Sequence, residues 1–284
     1  MLPNMPIHSA VQPPTPPLDR YIEVLWYQHI PIYSAREIIL PSPHMELIFN
    51  FGQPHKVFLA PDLAEFTIHE QAWLAGLQSR YFTIESTSSH LLGARLKPAG
   101  VAAFFAGDAS QFTDRVTPLR AIVGAAATDE LHIALTTAAD DTARFAALES
   151  FLVQRLKQDR PGLALALEAG QRIQAAEGSL GIAELSEGLH VSHKHLIEVF
   201  TSTVGLRPKQ FARVIRFSHM LPDLLAGAQP DWAALAQKAG YHDQSHFNRE
   251  FQLFAGLTPS QYIELRSHYS NYGPSEDSRF VPLG

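Results

Sequence analysis

The sequence predicts an α+β protein: a β-rich barrel or sandwich with helices attached, followed by an all-α C-terminal domain of short helices. Two patterns and one bound support this. From Tyr21 to about Lys97 the apolar residues come in short runs bounded by Pro or Gly, the signature of strands. From Pro98 onward they recur at three- and four-residue spacing, the helix period. A chain of 284 residues suits two domains better than one.

The strand runs are residues 21–27, 36–40, 45–51, 57–59, 73–75, 81–84 and 91–96. Ahead of them, Pro3, Pro6, Pro13, Pro14, Pro16 and Pro17 block helix and predict an extended lead-in over residues 1–20. Behind them, residues 99–105 and 109–112 read as short helices, and 128–137 and 141–157 as longer ones. In the last of these Phe145, Leu148, Leu152 and Leu156 form one stripe, with Asp141 as N-cap. That stripe either packs on its own barrel or forms a seam with a twin helix of a homodimer. Lys157 to Gly162 is polar and ends in Pro-Gly, which marks a linker. The resulting division is 1–20 lead-in, 21–160 front domain, 163–268 helical domain and 269–284 tail.

Composition excludes several classes. With no cysteine, the chain forms no disulfide, thiol nucleophile or Cys-based zinc site. A net charge of -6 rules out a general polyanion binder, which would be basic throughout. No apolar run of about 18 residues is present, so no membrane helix is expected, and residues 1–17 lack the features of a signal peptide. A cytoplasmic location is the expectation. His44 and Glu46 share a strand face near His55, His69 and His90, but the usual His-x-His pair of a barrel metal site is missing. No metal, cofactor or catalytic residue is expected.

The helical domain repeats one plan. Ile182, Ala183, Leu185 and Leu189 form the face of a short helix, a turn follows at His190-Val191, and Ser192 caps a second helix. Leu196, Val199 and Phe200 are its inner face, and His193, Lys194, Ile197, Glu198 and Thr201 point outward. Pro208 opens a connecting helix that Pro222 is expected to end or kink. Asp231 then caps residues 232–239, Gly240 stops them, and Asp243 caps a helix from Gln244 to Phe254 with Phe247, Phe251 and Phe254 inward. Short helix, tight turn and second helix with a polar front is the plan of helix-turn-helix, twice over.

The block 240–251, Gly-Tyr-His-Asp-Gln-Ser-His-Phe-Asn-Arg-Glu-Phe, with Gly256-Leu257-Thr258-Pro259-Ser260-Gln261-Tyr262, closely resembles the AraC/XylS family signature. Leu196, Phe200, Gly205 and Pro208 fit the same family's first unit, and the resemblance covers roughly Leu163 to Arg266. It implies a transcription regulator that reads double-stranded DNA in the major groove, touching RNA polymerase where it activates. The positions it matches to base-reading residues are Lys194, Ile197 and Glu198 in the first unit and Gln244, Ser245, His246 and Arg249 in the second. Ser192, His193 and Asn248, on or beside the same fronts, complete the candidate DNA-binding set. Arg249 suits guanine and Gln244 adenine. Glu198 departs from the basic or small polar residue usual there, which makes the first unit the weaker reader. Lys209, Arg213 and Arg216 are candidate phosphate contacts. Nine basic against ten acidic residues from Leu163 to Arg266 leave this part about neutral.

The front domain resembles an uncharacterised domain common before such helix-turn-helix pairs, through residues 39–50, Gly93 to Phe105, Asp114-Arg115-Val116 and Leu119. Ala99 stands where relatives often carry a further Gly, which argues against a special backbone there. The resemblance implies a sensor or dimerisation domain, with an unidentified small molecule or a second subunit as partner. Trp26, Phe49, Phe51, Trp73, Tyr81 and Arg95 are the candidate effector pocket. An enclosed cavity with converging polar groups would favour sensing, and a filled interior would favour dimerisation.

Overall fold

The computed structural model describes residues 8–30, 35–59, 64–225, 231–268 and 278–283. Pro3 and Pro6 of the lead-in, and most of the 269–284 tail, lie outside the described residues.

Two antiparallel sheets form the front domain. The six-stranded sheet contains β1 (His8–Gln12), β2 (Ile22–Ile30), β4 (Met45–Asn50), β7 (Ala72–Ala75), β9 (Ser89–Leu96) and β10 (Val116–Pro118), in the order β1-β2-β9-β4-β7-β10. The second contains β3 (Ala35–Ile39), β5 (His55–Leu59), β6 (Thr67–His69), β8 (Phe82–Ser86) and β11 (Phe280–Pro282), in the order β11-β3-β8-β5-β6. Each predicted strand run falls on one of these strands. The lead-in is more than a tether, because its residues 8–12 pair as an edge strand with β2, where Pro nearby does no harm. The tail supplies β11, a strand with no predicted counterpart.

Strand alternation divides the six-stranded sheet into two chemistries. Leu25, Tyr27, Met45, Leu47, Phe49, Leu74, Leu92, Ala94 and Leu96 are buried on the face that meets the helices, within one large core. Trp26, Glu46, Ile48, Trp73, Leu91 and Arg95 lie on the other face, toward the second sheet.

Helices α1 (Gly100–Phe104), α2 (Leu119–Val123), α3 (Ala125–Thr137) and α4 (Asp141–Val153) cover the first face. The α4 stripe is used inside the chain: Phe145, Leu148 and Leu152 are buried in the common core, and Leu156 packs against it beyond the helix end. Its N-cap is Asp140, one residue earlier than predicted, accepting from the Ala143 amide at 2.8 Å. Ala99 has φ of 63°, a left-handed conformation after all. The next residue explains it: a Cβ at Gly100 would sit 2.3 Å from the Tyr21 carbonyl oxygen, so the chain turns sharply to let these backbones meet.

The C-terminal helices are α5 (Leu163–Ala175), α6 (Ile182–Gly188), α7 (His193–Val204), α8 (Pro208–Leu225), α9 (Trp232–Lys238), α10 (Gln244–Ala255) and α11 (Pro259–His268). Pro222 neither ends nor breaks α8, which continues to Leu225. No helix among the described residues is long and apolar enough to cross a membrane.

The predicted linker is docked rather than free. The Lys157 amide donates to the Ala103 carbonyl at 2.7 Å. Arg160 Nη1 donates to the carbonyls of Ala102 and Phe105 at 3.2 and 3.0 Å, and its Nη2 bonds Gly107. Gly170 lies flat against Pro98, where a Cβ would be 2.5 Å from the ring. Hydrogen bonds to a charged donor contribute roughly 1.5–3 kcal/mol. We predict that Arg160→Ala lowers stability by about 2 kcal/mol and speeds limited proteolysis within 157–162. Unchanged cleavage there would show that apolar packing alone docks the segment.

Candidate nucleic-acid interface and barrel cavity

The two helix-turn-helix units are built from the same hydrogen bonds. In the first turn the amides of Leu189, His190 and Val191 donate to the carbonyls of Leu185, Glu187 and Ser186. In the second, those of Ala239, Gly240 and Tyr241 donate to Leu235, Gln237 and Ala236, an identical pattern. Gly240 takes the left-handed position at φ of 74° without strain, whereas the first unit places His190 there at 56°.

Each turn leads into a capped helix of 12 residues. Ser192 Oγ accepts from the His195 amide at 3.2 Å, and Asp243 Oδ1 from the His246 amide at 2.7 Å. The latter bond, with a lesser contribution from His242, holds the Asp243 carboxyl below its usual range. Beyond each helix comes Gly-Leu-x-Pro-x-Gln: Gln210 Oε1 accepts from the Arg207 amide, and Gln261 Oε1 from the Thr258 amide.

Ser192, His193, Lys194 and Glu198 are exposed on α7, and Ile197 is half-buried. Gln244, Ser245, His246, Asn248 and Arg249 are exposed on α10. Lys194 and Glu198 face each other at 3.8 Å, so the first front partly cancels its own charge. Between the readers, α8 has 18 residues and spans about 27 Å at 1.5 Å per residue.

The candidate phosphate contacts divide. Lys209 is exposed at the edge of a groove that also includes Arg207, His193 and Ile197. Arg213 is committed inward: its Nε donates to Glu250 Oε2 at 2.8 Å, and its guanidinium lies 5.6 Å from the Phe254 ring. Arg216 donates to the Gly178 carbonyl and stacks toward Tyr241. Glu250 is the residue that sequence reasoning undervalued, entering only as one of ten acidic residues in the charge count. It is 5% exposed and also accepts from Tyr241 Oη at 3.2 Å, tying α10 to its own turn and to α8. Burial, reinforced by Glu250, pushes the Tyr241 phenol upward, keeping it a donor. No local pattern could reveal this, since Arg213 lies 37 residues away.

Both recognition helices seat their C-terminal caps on the front domain. A Cβ on Gly205 would lie 3.0–3.2 Å from Thr113 Oγ1, the Ala109 carbonyl and Met45 Cε, while Thr113 Oγ1 donates to the Gly205 carbonyl at 2.7 Å. A Cβ on Gly256 would lie 2.4 Å from the Tyr81 ring.

Between the two sheets is a cavity of about 320 Å³. Of the candidate pocket residues, Trp26, Trp73 and Arg95 line it. Phe49 points the opposite way into the helix-side core, Phe51 packs against that core beyond the strand end, and Tyr81 carries Gly256. Gly93 opposite Trp26 is required, because a Cβ there would meet the indole at 2.4 Å. Glu46 Oε1 accepts from Arg95 Nε at 3.1 Å and from Arg279 Nη2 at 3.5 Å, so the tail contributes a cavity wall. His44 and Glu46 share that wall, but the Glu46 carboxylate is engaged by two guanidiniums and His44 Nδ1 lies 3.1 Å from Glu23. Desolvation lowers the His44 pKa, and desolvation with a smaller push from His69 lowers His55 to about 4, so both are neutral at pH 7. His69 pairs across from His55 on the adjacent strand, and His90 stacks on His29 elsewhere, so neither joins Glu46.

Comparison with known proteins follows this division. Residues 11–118 match a domain family of unknown function, DUF6597, and residues 185–264 match a helix-turn-helix domain family. An uncharacterized HTH-type transcriptional regulator of Haemophilus influenzae is 29% identical over 90 residues, which are 32% of this chain and 30% of that protein. The match thus spans about a third of the relative's length. Among solved structures, a probable AraC family transcriptional regulator from Rhodopseudomonas palustris is 23% identical over 34% of this chain and 95% of its own, with a TM-score of 0.30. ToxT from Vibrio cholerae is 10% identical over 91% of this chain and 98% of its own, with a TM-score of 0.45. The chain therefore carries a C-terminal helix-turn-helix domain over residues 185–264 behind a front domain that matches DUF6597 over residues 11–118.

Proposed function

We propose that this protein is a sequence-specific DNA-binding transcription regulator whose front domain responds to a small molecule. The observation that carries the DNA reading is the doubled turn-and-cap geometry, which presents two exposed polar helix fronts from one rigid support. At about 27 Å, the connecting helix plus the helix bodies at its ends approaches the roughly 34–36 Å between successive major grooves on one face of DNA. Gln244, Ser245, His246, Asn248 and Arg249 read the principal half-site, and His193, Lys194, Ile197 and Glu198 the weaker one. Lys209 contacts phosphate, with the amides and hydroxyls at the caps supplying further contacts.

The cavity supports a sensing front domain over one that only dimerises. At about 320 Å³ with polar groups converging on it, it falls at the small end of ligand pockets.

The test is selection of bound sequences from random duplex DNA, followed by affinity measurement on the enriched operator. Arg249→Ala and Gln244→Ala should each weaken operator binding by about 5- to 150-fold, the equivalent of roughly 1–3 kcal/mol, and relax one base position. Glu198→Ala should change it less. Affinity should fall with salt less steeply than a log–log slope of about -6. Failure to enrich any sequence would overturn the reading.

A further inference from the structure

The cavity's chemistry restricts what it admits. Building on the sensing role proposed above, we infer that it takes a compact, uncharged, largely apolar molecule. The charged lining consists of two carboxylates, Glu37 and Glu46, and two guanidiniums, Arg95 and Arg279, which balance. His44 and His55 add no charge. An ionic ligand would leave this set unbalanced, and an uncompensated charge taken out of water is unfavourable. Trp26 Nε1, His44 Nδ1 and His55 Nε2 have no hydrogen-bond partner, but all three atoms are covered and present no polar group to the cavity. Ile39, Ile48, Val57, Phe82 and Leu91 supply the apolar walls. The volume is about twice that of an apolar cavity that holds benzene, which admits a bicyclic molecule.

The experiment uses the full chain and a matched panel: coumarin, 1-tetralone and quinoline against coumarin-3-carboxylate and 1-naphthoate. At about tenfold above its Kd, an uncharged member should raise the thermal midpoint by about 3–6 °C. Ile48→Trp, which fills the cavity, should abolish the shift; Ala75→Leu on the same wall serves if that variant does not fold. Larger shifts from the anions, shifts that survive filling, or no shift from any uncharged member would each overturn the inference. Operator binding without ligand is measured in parallel, so loss of the sensing role and loss of DNA binding are told apart.

A separate set of contacts links this cavity to the second reader. Strand β11 pairs with β3 (Phe280 with Ile39, Val281 with Ile38), and Arg279 and Phe280 line the cavity. On its other side, α11 holds the same segment: Tyr262 Oη donates to the Ser278 carbonyl at 2.8 Å, and Arg266 Nη1 to the Phe280 carbonyl at 2.6 Å. Tyr262 is fully buried, its ring 5.7 Å from Phe251 of α10. The geometry points to β11 as the element through which the barrel supports α10. Deleting residues 279–284 should accelerate amide hydrogen exchange in α11 and α10, leave α7 unchanged, and weaken operator binding by about tenfold. Tyr262→Phe, which removes one bond and keeps the ring, should show the same pattern to a smaller degree. Unchanged exchange in α10, or equal acceleration in α7, would overturn it, and the exchange measurement stands whether or not DNA binds.

Discussion

The period-two alternation of the six-stranded sheet is the constraint on which the rest depends. Neighbouring residues of one strand serve opposite compartments: Met45 and Leu47 face the helices, and Glu46 and Ile48 face the cavity. A slip of one residue in register would drive Glu46 into the helix-side core and Met45 into the cavity. The sheet is thus a partition, with a polar-edged cavity on one side and the support of the helix-turn-helix domain on the other. Trp26 over Gly93 shows how tightly the partition is set, since the cross-strand partner can be nothing larger.

Because both domains share one core, the readers are held by the barrel and not merely tethered to it. Gly205 and Gly256 end equivalent helices, and both would be favoured as left-handed caps in an isolated domain. Here they carry a second requirement. Each lets the barrel approach within contact of a helix end, through Thr113 and Met45 in one case and Tyr81 in the other. Two such seats on the front domain, together with the bond from Ser218 Oγ to the Pro41 carbonyl, set how far apart α7 and α10 stand.

Much of this was legible in the sequence, and the exceptions have a common cause. Apolar runs bounded by Pro and Gly marked the long strands, and cap residues marked the readers, because both signals are local. Strands β1, β6, β10 and β11 are three to five residues long and depend on a neighbour for their pairing. Among residues 278–283 nothing local announces a strand; Val281 becomes fully buried only because Ile38 lies beside it. The candidate pocket failed at Phe49 for a related reason. Aromatic character places a residue inside, but only register decides which inside. Arg213 illustrates the same limit for charge, since its pairing with Glu250 is made across the fold.

That pairing also changes how a neutral DNA-binding domain should be understood. Pairing Arg213 with the buried Glu250 leaves the count of charges as balanced as before, yet alters where they stand. On the first reader Lys194 is opposed by Glu198 on the same front. On the second, Arg249 is exposed, and no carboxylate among the described residues pairs with it; its Nε reaches only the Ser245 carbonyl one turn back. The acidic residue nearest in sequence, Glu250, is turned away into the core. An arginine whose charge is not locally cancelled suits the bidentate base contact proposed for it. The second reader therefore has the cleaner charge. Asymmetry between two units with the same turn and cap bonds follows from what each helix front carries.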